Sequence, residues 1–244
     1  MTERRILQIL LSGLTAALFF SCATVDTPAQ REGSSYTIPQ LPLSLSLPEG
    51  FYVITWDQTS HSPEEFERIG INLDNARLVM AAAGYYLSVI SPDLSYEYVL
   101  TMSESPEYRQ IGSLSRFAAE ELYPIADTMV ANYTDKGILA QADDFFYTGG
   151  EPSPSRASAS RGENRNAPRR DPVVWVVLDL VQTLPASDAE DSSQVKTVHA
   201  RQYYTVVNGR AVNFILDSYE GPITPRLKEE FRLILETAVF VRQG

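Results

Sequence analysis

His61 and His199 are the only histidines in the chain, so little is available for acid–base work near neutral pH. They stand far apart, each in a polar stretch, and read as surface residues. Cys22 is the only cysteine, so a zinc site of common type would have to draw on carboxylates. The acid pairs Asp143-Asp144 and Glu120-Glu121 are adjacent in sequence, whereas hydrolysis by two carboxylates needs them across a cleft. No Gly-x-Ser-x-Gly elbow, GxGxxG or P-loop occurs. Asp188-Ala189-Glu190-Asp191 lacks the spacing of an EF-hand and reads as a solvated loop. No catalytic, cofactor-binding or metal-ligating residue is therefore assigned.

The cysteine has a different chemistry. Arg4-Arg5 opens the chain, and Ile6 to Phe20 is apolar but too short to span a bilayer comfortably, which takes about 20 residues. This is the pattern of a secretory signal peptide over residues 1–21. A lone thiol is unusual in an exported chain, because it has no partner for an internal disulfide. The run Leu18-Phe19-Phe20-Ser21-Cys22 resembles the lipobox of bacterial lipoproteins, although Phe19 stands where leucine is usual. The resemblance implies lipid transfer to the Cys22 sulfur, cleavage after Ser21 and anchorage to a bacterial membrane outside the cytoplasm. Two or more acyl chains anchor stably. Residues 22–40 are polar and turn-prone, and read as a flexible tether.

Residues 41–244 read as one domain. Its clearest element is Val198 to Phe240. Asn208-Gly209 is a type I′ hairpin dipeptide and sets Val207 opposite Arg210, Thr205 opposite Val212 and Tyr203 opposite Phe214. One face then collects Tyr203, Thr205, Val207, Val212, Phe214 and Leu216. Thr224-Pro225 starts a helix whose Leu227, Phe231, Ile234 and Leu235 cover that face. Upstream, Leu43 to Leu47 and Phe51 to Trp56 read as a hairpin, and Ser62-Pro63-Glu64-Glu65 as a helix start. Tyr85 to Ile90 and Ser95 to Met102 read as strands; in the second, Tyr96, Tyr98, Leu100 and Met102 share one face and Glu97, Val99 and Thr101 the other. Ser113 to Asp135 is the longest helical pattern, with Pro124 expected to break or kink it. A strand is expected near Ala142 to Tyr147. Val173 to Val181 is almost wholly apolar, as in a strand buried on both faces.

Residues 149–171 contain no aliphatic or aromatic side chain larger than alanine and carry five arginines. Such a segment is expected to be a disordered surface insertion. Over the whole chain the formal net charge is −11, which disfavours a nucleic-acid partner.

Three stretches resemble the PsbP/Mog1-like family: Leu45-Ser46-Leu47-Pro48-Glu49-Gly50-Phe51, the Gln202 to Leu216 hairpin, and the helix running into Ala238-Val239-Phe240. The resemblance implies an α+β fold with a mainly antiparallel sheet flanked by helices, an α/β/α sandwich. It also implies an accessory or binding role rather than catalysis, and transfers no site residue. Paired tyrosines on strands are the unusual population, and Tyr85, Tyr96 and Tyr204 are the candidate recognition surface if one sheet face is incompletely covered. The expected function is a membrane-anchored, non-catalytic binding or assembly module with a protein partner in the envelope. The alternatives are a small-ligand carrier, which needs an apolar cavity, and an envelope hydrolase, which needs acids converging with a histidine in a cleft.

Overall fold

A computed structural model describes residues 30–32, 35–38, 43–149, 172–185 and 195–240. Residues 1–29, with the expected signal segment and Cys22, the expected insertion over residues 150–171, and residues 186–194 all lie outside the described residues. The strands are β1 (Gln30–Glu32), β2 (Ser35–Ile38), β3 (Leu43–Ser46), β4 (Tyr52–Thr55), β5 (Tyr85–Ile90), β6 (Tyr96–Glu104), β7 (Leu139–Ala142), β8 (Phe146–Thr148), β9 (Val173–Pro185), β10 (Val195–Val207), β11 (Arg210–Ser218) and β12 (Val239–Phe240). The helices are α1 (Pro63–Arg68), α2 (Leu73–Ala83), α3 (Pro106–Ile111), α4 (Ala119–Thr134) and α5 (Pro225–Glu236).

The fold is α+β and mainly antiparallel. An eight-stranded sheet runs β4-β5-β6-β11-β10-β9-β7, with β8 also paired to β9. A smaller sheet runs β1-β2-β3-β12. At the centre of the large sheet is the Asn208-Gly209 hairpin. Both turn residues have positive φ, 52° and 75°, and the register is the expected one: Val207 with Arg210, Thr205 with Val212, Tyr203 with Phe214. The strands Phe51 to Trp56, Val173 to Val181 and Gln202 to Leu216 contribute to this one sheet, as expected.

One face of the sheet packs against α5 and the smaller sheet. The Thr224 hydroxyl accepts from the Leu227 N–H and caps α5, and Pro225 occupies its first turn. Phe231, Ile234 and Leu235 are buried against Tyr98, Tyr203 and Phe214, while Tyr36, Ile38, Leu43 and Leu45 of the smaller sheet close the same core. The opposite face carries two helical groups. Under α1 and α2, Phe66, Ala76 and Met80 meet Ile54, Tyr85, Val99 and Ile215. Under α4, Leu122 and Ala126 meet Val174, Val176, Leu178, Tyr204 and Val206. α1 begins with a capping box in which Ser62 and Glu65 satisfy each other's backbone N–H.

Five expectations are corrected. The tether does not run unstructured to Gln40, because Ser35–Ile38 is a strand and Tyr36 and Ile38 are buried in the main core. Leu43–Ser46 does not form a hairpin with Tyr52–Thr55; it pairs with Ser35–Ile38 and Val239–Phe240 in the smaller sheet. The long helical pattern starts later, with Leu114–Arg116 as a 3₁₀ turn before α4. Pro124 does not break α4: it removes one backbone donor, while Leu122 and Ala126 on either side are fixed in the core. The strand near Ala142 to Tyr147 is two strands, separated where Asp143 turns away to bind Arg201.

Candidate functional site

The tyrosines foreseen as a recognition surface are largely inside. Tyr85 is 2% exposed and Tyr204 9%. The face on which they lie is covered by α2 and α4, which the strand pattern alone did not reveal. Tyr96 is half-buried; its ring meets Tyr98 and Phe51, and its hydroxyl donates to Glu230 Oε1 at 3.0 Å. No exposed aromatic platform is formed by these three.

His61 and Asp143 are tied into the local structure by ring contacts, a hydrogen bond and an ion pair. His61 packs between Tyr52 and Phe66, and its Nδ1 lies 2.6 Å from Ser60 Oγ. That hydroxyl also donates to the Phe51 carbonyl and accepts from the Val53 N–H, so it ties the loop to β4. His199 sits on β10, opposite Ser218 of β11 and Val181 of β9. Asp143 accepts from Arg201 Nη2 at 2.6 Å, and that hydrogen bond lowers its pKa. Asp179 accepts from Arg201 Nη1 at 2.7 Å and from Lys228 Nζ at 2.6 Å. The guanidinium is 8% exposed, so this network clamps β9, β10, α5 and the β7–β8 connection together.

A polar seam divides the two helical cores. Glu97 of β6 and Asp217 of β11 are direct cross-strand partners. Ser88 Oγ donates to Glu97 Oε1 at 2.6 Å, and the Tyr219 hydroxyl donates to Glu97 Oε2 at 3.2 Å. Both bonds favour the carboxylate, yet desolvation outweighs them and pushes Glu97 up to about 8. Burial raises Asp217 to about 7. The Tyr85 hydroxyl, in the field of both acids, is buried without a hydrogen-bond partner. Asp217 also acts on Tyr133 of α4, whose pKa burial lifts to about 12.

Beyond Tyr133 the seam opens into a cleft of about 500 Å³ between α4 and the sheet. Pro124, Ile125 and Met129 form one wall, and Tyr108 and Tyr204 another side. Gln202 and Asn213, 3% and 5% exposed, form the floor, and the exposed Lys136 stands at the rim. The described residues lining the cleft include no carboxylate, histidine or cysteine. A mostly apolar pocket of this size with a few convergent polar groups has the form of a small-molecule site. Among the described residues no group of three or more histidines, cysteines and carboxylates is placed to hold a metal ion. No described helix is long and apolar enough to cross a membrane.

Sequence reasoning missed the seam and the cleft. The alternation along β6 puts Glu97 on the face shared with Val99 and Thr101, and a glutamate beside a buried valine is the available signal. Gln202 and Asn213 gave none, because their meeting depends on side chains from two strands under a distant helix.

No family model matches the chain, and no curated protein matches it. Among solved structures, it is similar to the cyanobacterial PsbP (CyanoP) from Synechocystis sp. PCC 6803, at 12% identity and a TM-score of 0.41, over 92% of this chain and 99% of that one. It is also similar to a protein from Bacteroides thetaiotaomicron VPI-5482, at 9% identity and a TM-score of 0.37, over 83% of this chain and 46% of that one. A PsbP is thus among the similar solved structures, while the α+β architecture stands on the strand pairing described above.

Proposed function

We propose that the chain is a non-catalytic binding module, held at a bacterial membrane through lipid on Cys22, and that its binding site is the cleft between α4 and the large sheet. The observation that carries this reading is the cleft itself: apolar walls, a buried polar floor and no carboxylate, histidine or cysteine among the described residues of its lining. This moves recognition from an exposed tyrosine surface, since Tyr85 and Tyr204 are buried, to a half-open cleft that Tyr204 helps to line. A hydrolase would need the raised acids to meet a substrate. Glu97 and Asp217 instead lie in the seam, off the cleft lining, where Glu97 accepts from Ser88 and Tyr219. The lipobox resemblance at Cys22 supports the anchor, and lipid attachment would raise the module's effective concentration near membrane-bound partners and lipids.

Native mass spectrometry on protein released gently from envelopes tests the reading. A small molecule should co-purify with the wild type and with the double variant His61→Ala/His199→Ala. Thr128→Trp, which fills the cleft from the exposed side of α4, should arrive empty. Retention by Thr128→Trp, with loss in the histidine variant, would replace binding in the cleft by chemistry elsewhere.

A further inference from the structure

The cleft floor has a polarity, and it follows from a one-way chain of hydrogen bonds. The Tyr133 hydroxyl donates to Gln202 Oε1 at 2.8 Å, and Gln202 Nε2 donates to Asn213 Oδ1. Each amide oxygen on the floor is therefore engaged by a protein donor. The amide hydrogens that this relay leaves unused are the second hydrogen of Gln202 Nε2 and the Asn213 Nδ2 pair, on two residues that line the cleft. Both side chains are almost fully buried, so leaving these donors unmatched is costly, and a ligand that matches them is selected over one that does not. Lys136 adds a cation at the rim. The wall formed by Pro124, Ile125 and Met129 offers nothing but apolar surface, with Ile125 and Met129 half-buried.

We propose that the cleft takes a single-chain amphiphile with an apolar body and an acceptor head, an acyl chain ending in a carboxylate or neutral carbonyl. This rests on the reading of the cleft as the binding site. The head accepts from Asn213 and Gln202, and the chain lies along Ile125 and Met129. A cationic head is refused, because the floor presents donors to it. The orientation of the two amides is what sets the preference. Reversing the relay would place an oxygen on the floor and reverse the choice of head.

Methionine methyl groups report on this directly. The chain has four methionines, and only Met129 lines the cleft. Met80 is buried under α2, and Met102 packs with the opposite core. The full chain carrying Cys22→Ala, which keeps its own lipid out of the cleft, is labelled with [methyl-13C]methionine and titrated below micellar concentrations with decanoate, decanamide and decylamine. Decanoate and decanamide should shift the Met129 methyl saturably, leave Met80 and Met102 in place, and bind at least about tenfold tighter than decylamine. Asn213→Asp, which turns the floor into an acceptor, should weaken decanoate and favour decylamine. Equal or tighter binding of decylamine to the wild type overturns the head-group assignment while leaving the cleft as a site. If neither these probes nor a neutral aromatic dye moves Met129, the cleft is not a binding site and both readings fall.

Discussion

Glu97 and Asp217 face each other across β6 and β11, 1% and 7% exposed, with hydrogen bonds from Ser88 and Tyr219 to Glu97 and, among the described residues, none from a cation to either. Like charges directly opposite on a sheet repel, and neither is well solvated here. Protonation relieves both costs. Near pH 7 the pair is therefore held partly as neutral acid, Glu97 more so than Asp217, when most surface carboxylates are ionised.

That relationship gives the folded protein a pH profile of unusual sign. Folded-state pKa values of about 8 for Glu97 and about 7 for Asp217 lie above their ordinary values of 4.5 and 3.8. The native state thus binds more protons than the unfolded chain between roughly pH 4 and 8, and stability contributed by the pair falls as pH rises through that window. Thermal midpoints measured from pH 5 to 8.5 should decline, by an amount on the order of a few kcal/mol in stability. Glu97→Gln, which keeps the shape and removes the titration, should flatten the decline and raise the midpoint at pH 8.5. A wild-type profile that is flat or rising would show that the pair is ionised at no cost.

Phe231 is fully buried and stacks on Tyr98 at 4.8 Å between ring centroids, with Tyr203 edge-on at 5.0 Å. Phe231→Ala should lower unfolding free energy by ~3–5 kcal/mol. Denaturant titration checks this, and an unchanged midpoint would mean that α5 is not seated on the sheet.

Gly209 is constrained twice. Its φ is +75°, and a Cβ there would come within 3.2 Å of the Arg109 Cα, while its N–H donates to the Gly112 carbonyl at 2.7 Å. Gly209→Ala should cost more than the ~1 kcal/mol of a simple left-handed penalty, because α3 has to move as well. Asn208→Gly, at φ +52°, should be nearly neutral by the same measurement.

The proposed anchor is tested by metabolic labelling with a fatty acid. Wild type should incorporate label and partition with membranes, and Cys22→Ala should do neither. Label retained in the variant would place the lipid elsewhere.

What was legible in the sequence was local. Asn208-Gly209 fixes its own register within a few residues, and Thr224-Pro225 starts a helix whose spacing names the residues it buries. The alternation from Tyr96 to Met102 separated the two faces correctly. It could not say what covered them, and so Tyr85 and Tyr204 read as candidate surface although α2 and α4 lie over their face. The strand Leu43–Ser46 was visible as a strand, but its neighbours were not, since one of them is Val239–Phe240. The seam is least legible of all: Glu97 meets Asp217, and Tyr133 meets Gln202, only after long loops have closed.

The pairing of Leu43–Ser46 with Val239–Phe240 also imposes an order on synthesis. Ser46 N–H donates to Thr237 Oγ1 across 191 positions of chain, so the smaller sheet cannot be completed until nearly the whole domain has emerged. A chain crossing a membrane N-terminus first would present Tyr36, Ile38, Leu43 and Leu45 long before their cover exists. Contacts of such separation form slowly and leave apolar strands exposed meanwhile. If the chain is exported as proposed, the strands nearest the proposed anchor are the ones most in need of a chaperone's protection, and a nascent chain stopped short of residue 239 would keep that need.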